Sequence, residues 1–208
     1  MLKKTVWFLF VLCAIAIGLY PAIYFMVDRE FGLLSSKSAD LLSNLYWNIG
    51  FYTHIIGGGI ALLAGWSQFM PGLRKRRPHL HRNLGKLYIS GVLLSGVAGL
   101  LIGFFATGGL IAAAGFICLA LVWLYTTFLA YSHIRHGRVA AHQYWMLYSY
   151  AACFAAVTLR IWLPLLVLAF QDFNTAYRIV AWLCWVPNLC VVWYFLAPRL
   201  EKKGAGWQ

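Results

Sequence analysis

The stretch QFMPGLRKRRPHLHRNLGKLY, residues 68–88, decides how this chain folds. It places six lysines and arginines and two histidines between two long apolar runs. A short cationic loop between apolar runs is typical of the cytoplasmic connections of polytopic membrane proteins, where Lys and Arg are concentrated. The stretch therefore predicts that one membrane span ends before it and that the next begins within it.

The composition supports a membrane protein. Hydrophobic residues make up 62% of the 208 residues and charged residues 11%, against about 45–50% and about 25% in soluble domains. A chain this apolar needs lipid around most of its surface. The net charge of +12 lies beside apolar runs, which favours membrane lipids and not nucleic acid as its partners.

The apolar runs predict an all-α, polytopic membrane protein, a bundle of six transmembrane helices in a single domain over residues 1–208. The first run is about 23 residues long, whereas the apolar core of a signal peptide is about 7–15, so we interpret it as an uncleaved span. The five cysteines all lie within apolar runs, which favours neither a disulfide framework nor a metal site. The six spans are predicted at residues 5–27, 49–70, 83–106, 110–132, 142–170 and 178–197.

The cations also predict an orientation. With the N-terminus inside, the inner segments 1–4, 71–86, 133–141 and 198–208 hold most of the 17 lysines and arginines. The predicted outer segments hold only Arg29, Lys37 and Arg178. This asymmetry predicts that both termini are cytoplasmic.

Small residues predict how the second and third spans pack. Gly91, Ser95, Gly99 and Gly103 recur every four residues, and such a ladder lets another helix approach closely. We expect the second and third spans to form a close pair. In the sixth span, Pro187 predicts a kink.

Arg160 and His54 are candidate ligand-binding residues in the outer leaflet. Arg160 is costly within a span, and no Asp or Glu lies in any predicted span. It is expected either to reach toward Asp172 in the last outer loop or to hold an anionic group. His54 lies at a similar predicted depth, so the two residues suggest one site; the alternative for His54 is a hydrogen bond to the backbone of a neighbouring helix.

His81, Arg82 and His142 are candidate cofactor-binding residues at the inner ends of the third and fifth spans. Histidine is the commonest metal ligand and titrates near neutral pH. The sequence contains no phosphate-binding loop, no HExxH zinc motif and no nucleophile elbow. It also shows no paired interrupted spans with internal symmetry, the mark of many secondary transporters. Catalytic residues and enzymatic activity stay unassigned.

Several motifs together resemble a known family. They are His54 before a glycine-rich run, His81-Arg82-x-x-Gly85-x-x-Tyr88, His142-x-x-Trp145-Met146 and Leu159-Arg160-x-x-x-Pro164. This combination, over about residues 45–195, resembles a bacterial inner-membrane family described as predicted membrane proteins of unknown function. The resemblance implies that His54, His81, Arg82, His142 and Arg160 are characteristic polar positions, and it implies no activity.

A more distant resemblance is to the transmembrane b-type cytochromes that use ascorbate, which hold two haems between histidine pairs. The resemblance implies that His81 and His142 pair at the inner side around one b-type haem. His54 has no histidine partner on the fourth span, so the second haem site is not matched.

Three functions are therefore compatible with the sequence. The first is a membrane redox protein that binds a b-type haem or a quinone. The second is a non-catalytic binding or assembly protein that holds a lipid or a small anionic ligand in the outer leaflet. The third, ranked lower, is a small transporter.

Overall fold

The computed structural model describes residues 2–27 and 32–198, with the side chains of Leu2 and Lys3 left out. Several charges of the orientation argument lie outside these described residues: Asp28, Arg29, Glu30, Arg199, Lys202 and Lys203. Helices account for nearly all of the described chain, and the predicted all-α class is confirmed.

Six helical spans in the described residues are long and apolar enough to cross a membrane. They confirm the predicted number of spans. The orientation of the two termini stays a prediction. The six spans are Lys4–Phe25, Leu45–Phe69, Pro78–Gly103, Leu110–Arg135, Val139–Phe170 and Phe173–Leu196.

In the first half, two spans finish in a tighter 3-10 segment. The first helix, α1, is Leu2–Leu19 and continues as a 3-10 segment, Tyr20–Phe25. A 3-10 segment, Gly32–Ser36, and a short helix, α2, Ala39–Ser43, precede the second span. That span is α3, Leu45–Gly65, followed by the 3-10 segment Trp66–Phe69. The short helix α4, Pro71–Arg76, and α5, Pro78–Gly103, complete this half.

The second half contains two interrupted spans. Helix α6, Leu110–Arg135, is continuous, but the fifth span is divided at Phe154 into α7, Val139–Cys153, and α8, Ala155–Phe170. The sixth span is α9, Phe173–Leu183, and α10, Val186–Val191, followed by a π-helical turn, Val192–Leu196. The interruption before α10 lies next to Pro187, the predicted kink, whereas the one at Phe154 was not anticipated.

The chain forms two compact units, Met1–Ile102 and Gly103–Gln208. In the first unit, α3 lies in close contact with both α1 and α5. A Cβ added at Gly59 would lie 2.6 Å from the carbonyl oxygen of Gly18, and one added at Gly91 would lie 2.8 Å from that of Gly57. The expected close pairing of the second and third spans is therefore observed.

In the second unit, α6 packs against α7 and α9. The hydroxyls of Thr127 and Ser149, both fully buried, lie 2.6 Å apart and join α6 to α7. A Cβ added at Gly115 would lie 2.8 Å from the carbonyl oxygen of Ala181, so α6 approaches α9 closely.

The turn before α6 is built on two glycines with positive φ, 94° at Gly108 and 75° at Gly109. Such angles are strained for side chains with a Cβ. Arg178 in α9 donates from Nε to the Gly108 carbonyl at 2.7 Å, so the turn is tied to the sixth span.

Candidate functional site

A cavity lies in the first unit, in a groove along α3 and α5. Its volume is about 620 Å³. The walls are mostly apolar, and the hydroxyls and amides among them belong to Asn48, Tyr52, Thr53 and Ser90. The full lining is Leu45, Asn48, Ile49, Tyr52, Thr53, Ile56, Gly57, Ile60, Leu87, Ser90, Gly91 and Leu94.

The groove has fixed walls because small residues clamp α3 to α5. Gly57 faces Gly91 and Ser95, and a Cβ added at Gly57 would lie 3.0 Å from the Gly91 carbonyl oxygen. Backbones that approach this closely gain van der Waals contact, which is a main source of helix association in lipid. The groove is thus formed by the fold itself.

His54 is a second part of this clamp. Its Nδ1 lies 2.9 Å from the Ser95 carbonyl oxygen, and Ser95 Oγ donates to the His54 carbonyl at 2.8 Å. Because a carbonyl only accepts, Nδ1 carries the proton, and in the neutral ring Nε2 carries the lone pair. Gly99 makes room for the ring, since a Cβ there would lie 2.9 Å from Nδ1. Two interpretations of His54 were given above. The structure contains the second one, a hydrogen bond to the backbone of a neighbouring helix.

Arg160 lies in α8, in the other unit, and is partly buried. Its guanidinium donates to the carbonyl of Ala156, one turn earlier, at 2.9 Å. Asp172, the expected alternative partner, caps α9 by accepting from the Thr175 amide at 2.7 Å. Hydrogen bonds from Thr175 hold the pKa of Asp172 below its ordinary value, and the charge of Arg178 adds to this. An outer-leaflet site shared by His54 and Arg160 stays a prediction.

His142 joins α7 to α6 at the start of the fifth span. Its Nδ1 lies 2.8 Å from the carbonyl oxygen of Ala130, which is fully buried. This contact again places the proton on Nδ1. Histidines that bind a metal through Nε2 are commonly oriented by such a bond.

His81 and Arg82 lie side by side at the start of α5 and point in different directions. His81 is partly buried and has a buried Nδ1, whereas Arg82 is exposed. The rest of the motif is interior: Tyr88 is fully buried, and a Cβ at Gly85 would lie 3.3 Å from the Gln68 side-chain oxygen. His81 and His142 belong to different units, and their pairing around a haem stays a prediction.

A polar cluster at the two helix interruptions was missed from the sequence. The Asn188 amide donates to the carbonyls of Cys184, at 2.9 Å, and Ala151, at 3.2 Å. It also lies 3.2 Å from the Thr158 hydroxyl, which itself donates to the Cys184 carbonyl. Side chains thereby satisfy backbone groups that the interruptions release, as lipid requires. The sequence signal for this cluster was Asn188, a polar residue one position after Pro187 within a predicted span.

No group of three or more His, Cys, Asp or Glu side chains that could hold a metal ion is found among residues 2–27 and 32–198.

Comparisons with known proteins identify the family. No curated protein and no solved structure matches the chain. Residues 51–196, which include α5 to α10 and most of α3, match one family and cover most of the chain. The chain belongs to the family described as Predicted membrane protein (DUF2306).

Proposed function

We propose that this chain is a membrane-embedded binding protein for an amphipathic molecule with a long apolar chain. The observation that carries the proposal is the groove of about 620 Å³ along α3 and α5. Pockets for small molecules are typically about 300–1,000 Å³, mostly apolar, with a few polar groups that fix orientation.

The dimensions of the groove fit an extended chain. Its lining on α3 runs from Leu45 to Ile60, which at 1.5 Å per residue is about 22 Å. The hydrocarbon core of a bilayer is about 30 Å thick. A chain lying along the groove would therefore follow the helices through most of one membrane crossing.

The polar groups lie mainly at one end. Asn48, Tyr52 and Thr53 belong to the first three turns of α3, and deeper on this helix the lining is Ile56, Gly57 and Ile60. The Asn48 amide is held by the carbonyls of Leu42 and Asn44 at 2.7 and 2.8 Å. An amphipathic ligand would place its head near these side chains and its tail along the apolar part.

Two sources share this ligand chemistry, a phospholipid and an isoprenoid quinone. The first would make the chain a non-catalytic lipid-binding or assembly protein. The second would make it a redox protein. The experiment therefore identifies the bound molecule as well as its place.

The test is to purify the protein in mild detergent and to identify the retained chain-bearing molecules by native mass spectrometry. Ser90→Trp fills the groove from an exposed position on α5, and Leu121→Trp is the matched control at an exposed position of α6 that does not line the groove. We expect the first variant to lose the retained molecule and the second to keep it. Equal retention in both variants would mean that only ordinary boundary lipid surrounds the groove.

A b-type haem at His81 and His142 is the second candidate. The bond from His142 Nδ1 to Ala130 supports it, because it leaves the lone pair of the ring on Nε2. When bound, haem would supply one-electron chemistry, with the two histidines as its holders. The oxidised and reduced absorption spectra of the purified protein test this, and a flat spectrum without iron would contradict it.

We also propose the bacterial inner membrane as the location, with both termini cytoplasmic. The cations of residues 71–86 and 133–141 support this orientation. A reporter fused to the C-terminus that is active only outside the cytoplasm would contradict it.

A further inference from the structure

The most cationic part of the described chain is the basic segment, residues 74–86, which comprises the end of α4 and the first turns of α5. Its charges are all exposed. From Leu41 to Gln171 the sequence contains no Asp or Glu, so no carboxylate nearby along the chain can neutralise this charge. The cations of the basic segment are Arg74, Lys75, Arg76, Arg77, Arg82 and Lys86.

The start of α5 directs its charges away from its packed face. Arg82 and Lys86 are four residues apart and therefore share one face of the helix, and both are exposed. Gly85 and Tyr88 face the interior of the unit, against Gln68 in the case of Gly85. The two cations thus form a stripe at the end of a membrane-spanning helix.

An apolar cavity opens beside the same segment. It has a volume of about 290 Å³ and is lined by Trp7, Phe69, Met70, Pro71 and Gly72. The last two residues begin α4, whose final turn carries Arg74, Lys75 and Arg76. The short helix α4 therefore lines the apolar cavity with its first residues and carries cations in its last turn.

We propose that the basic segment and this cavity bind an anionic phospholipid. The phosphate would lie among the cations, with Arg82 and Lys86 as its main contacts, and part of an acyl chain would enter the cavity at Trp7 and Met70. Basic pockets between transmembrane helices bind anionic headgroups in this way. An RNA or an acidic protein would use the charges but has no chain for the cavity, so the lipid accounts for both features.

The experiment compares phosphatidylglycerol with phosphatidylcholine of the same acyl chains, added to the full-length protein in detergent and measured by native mass spectrometry. We expect wild type to prefer phosphatidylglycerol, and Arg82→Gln/Lys86→Gln to weaken its binding roughly tenfold. The matched control is Arg135→Gln/Arg138→Gln, which removes two exposed cations from the other unit and should leave binding within about twofold. Equal losses in the two double variants, or no headgroup preference in wild type, would overturn the proposal.

Two further measurements address the cavity and the competing partner. Gly72→Leu adds a side chain at a residue that lines the cavity and where a Cβ meets nothing within 4 Å, and it should weaken phosphatidylglycerol binding several-fold. Unchanged binding would remove the cavity from the site. An RNA oligonucleotide that binds wild type as tightly as phosphatidylglycerol would overturn the choice of partner. Because these variants leave the α3–α5 groove intact, their result is independent of the Ser90→Trp test.

Discussion

Both units contain close backbone approaches, at Gly57 and Gly91 in the first and at Gly115 and Ala181 in the second, but within the part of the chain that the structure describes only the second joins interrupted spans. In the first unit, continuous helices approach until backbones touch, at Gly18 and Gly59 and at Gly57 and Gly91. In the second, two interrupted spans are joined by hydroxyl and amide side chains around Asn188. Lipid offers no water to drive helices together, so close packing and internal hydrogen bonds are the two routes available. One chain can therefore use both close packing and internal hydrogen bonds to hold its helices together.

The largest expected effect comes from adding a side chain where the backbones of the first unit are in contact. Gly91→Ala adds a Cβ 2.8 Å from the Gly57 carbonyl oxygen, and the resulting overpacking should cost about 2–3 kcal/mol. Unfolding of the purified protein by titrated denaturing detergent measures the loss. Gly72→Ala, where a Cβ meets nothing within 4 Å, is the control and should not destabilise. Equal stability of the two variants would contradict a backbone clamp.

The next effect concerns the polar cluster of the second unit. Asn188→Ala removes the donor to the Ala151 carbonyl, which should cost about 1–2 kcal/mol. Thr126→Val is a suitable control, because the Thr126 hydroxyl donates to carbonyls of its own helix, at 2.7 Å to Val122 and 3.2 Å to Trp123. The same unfolding assay applies. A larger loss in the control than in Asn188→Ala would show that the interruptions do not depend on this amide.

A smaller effect is expected at His54 and Ser95. Each hydrogen bond runs from one side chain to the backbone carbonyl of the other residue, so His54→Ala and Ser95→Ala each remove one bond and leave the other acceptor in place. Hydrogen bonds between membrane helices average about 0.6 kcal/mol, so each variant should lose stability of that order and the two losses should add. A coupling well above this value in the double variant would contradict separate bonds. A loss of a retained ligand in His54→Ala at unchanged stability would instead favour the predicted outer-leaflet site.

The smallest effects are changes of stability with pH, which fall in the alkaline range for the first unit and in the acid range for the second. Burial lowers the pKa of Lys37 from 10.5 to about 8. Between these values the unfolded chain binds more protons, so stability rises with pH, and the cost of the buried charge is fully present below pH 8. Lys37→Met should flatten this rise in the free energy of unfolding.

Asp172 in the second unit should also make stability rise with pH, but in the acid range and through a charge that stabilises the fold. Its pKa is lowered by Thr175, so the stabilisation is present above its unfolded pKa and is lost as the pH falls through the folded value. Asp172→Asn should weaken the acid dependence while Lys37→Met leaves it unchanged. Identical pH profiles of the two variants would contradict these assignments.

Hydropathy and small-residue spacing predicted the six spans and the α3–α5 contact, because both signals are local in the sequence. The four small residues of the ladder do not all contact the same helix, however. Gly91, Ser95 and Gly99 face α3, whereas a Cβ at Gly103 would meet Ile117 of α6 at 3.0 Å. Spacing specifies a helix face but not which neighbour lies against it.

The candidate sites were predicted less well. His54 was noticed because histidine is rare within a span, but its partner is a backbone carbonyl, which every residue carries and no pattern reveals. The interruption at Phe154 has no proline or glycine beside it, and Asn188, which bonds the Ala151 carbonyl, is far away in sequence. The groove consists of ordinary apolar residues whose arrangement depends on how two helices cross.

The contact between Arg178 and Gly108 has a consequence for how the protein is made. The two residues are 70 positions apart, and chains are synthesised at about 5–20 residues per second. The turn before α6 therefore waits roughly 4–14 s for its partner, and the second unit closes only when its last span has been made. The His54–Ser95 clamp joins residues 41 positions apart, all within the first half, so the groove can form while the second unit is still being synthesised.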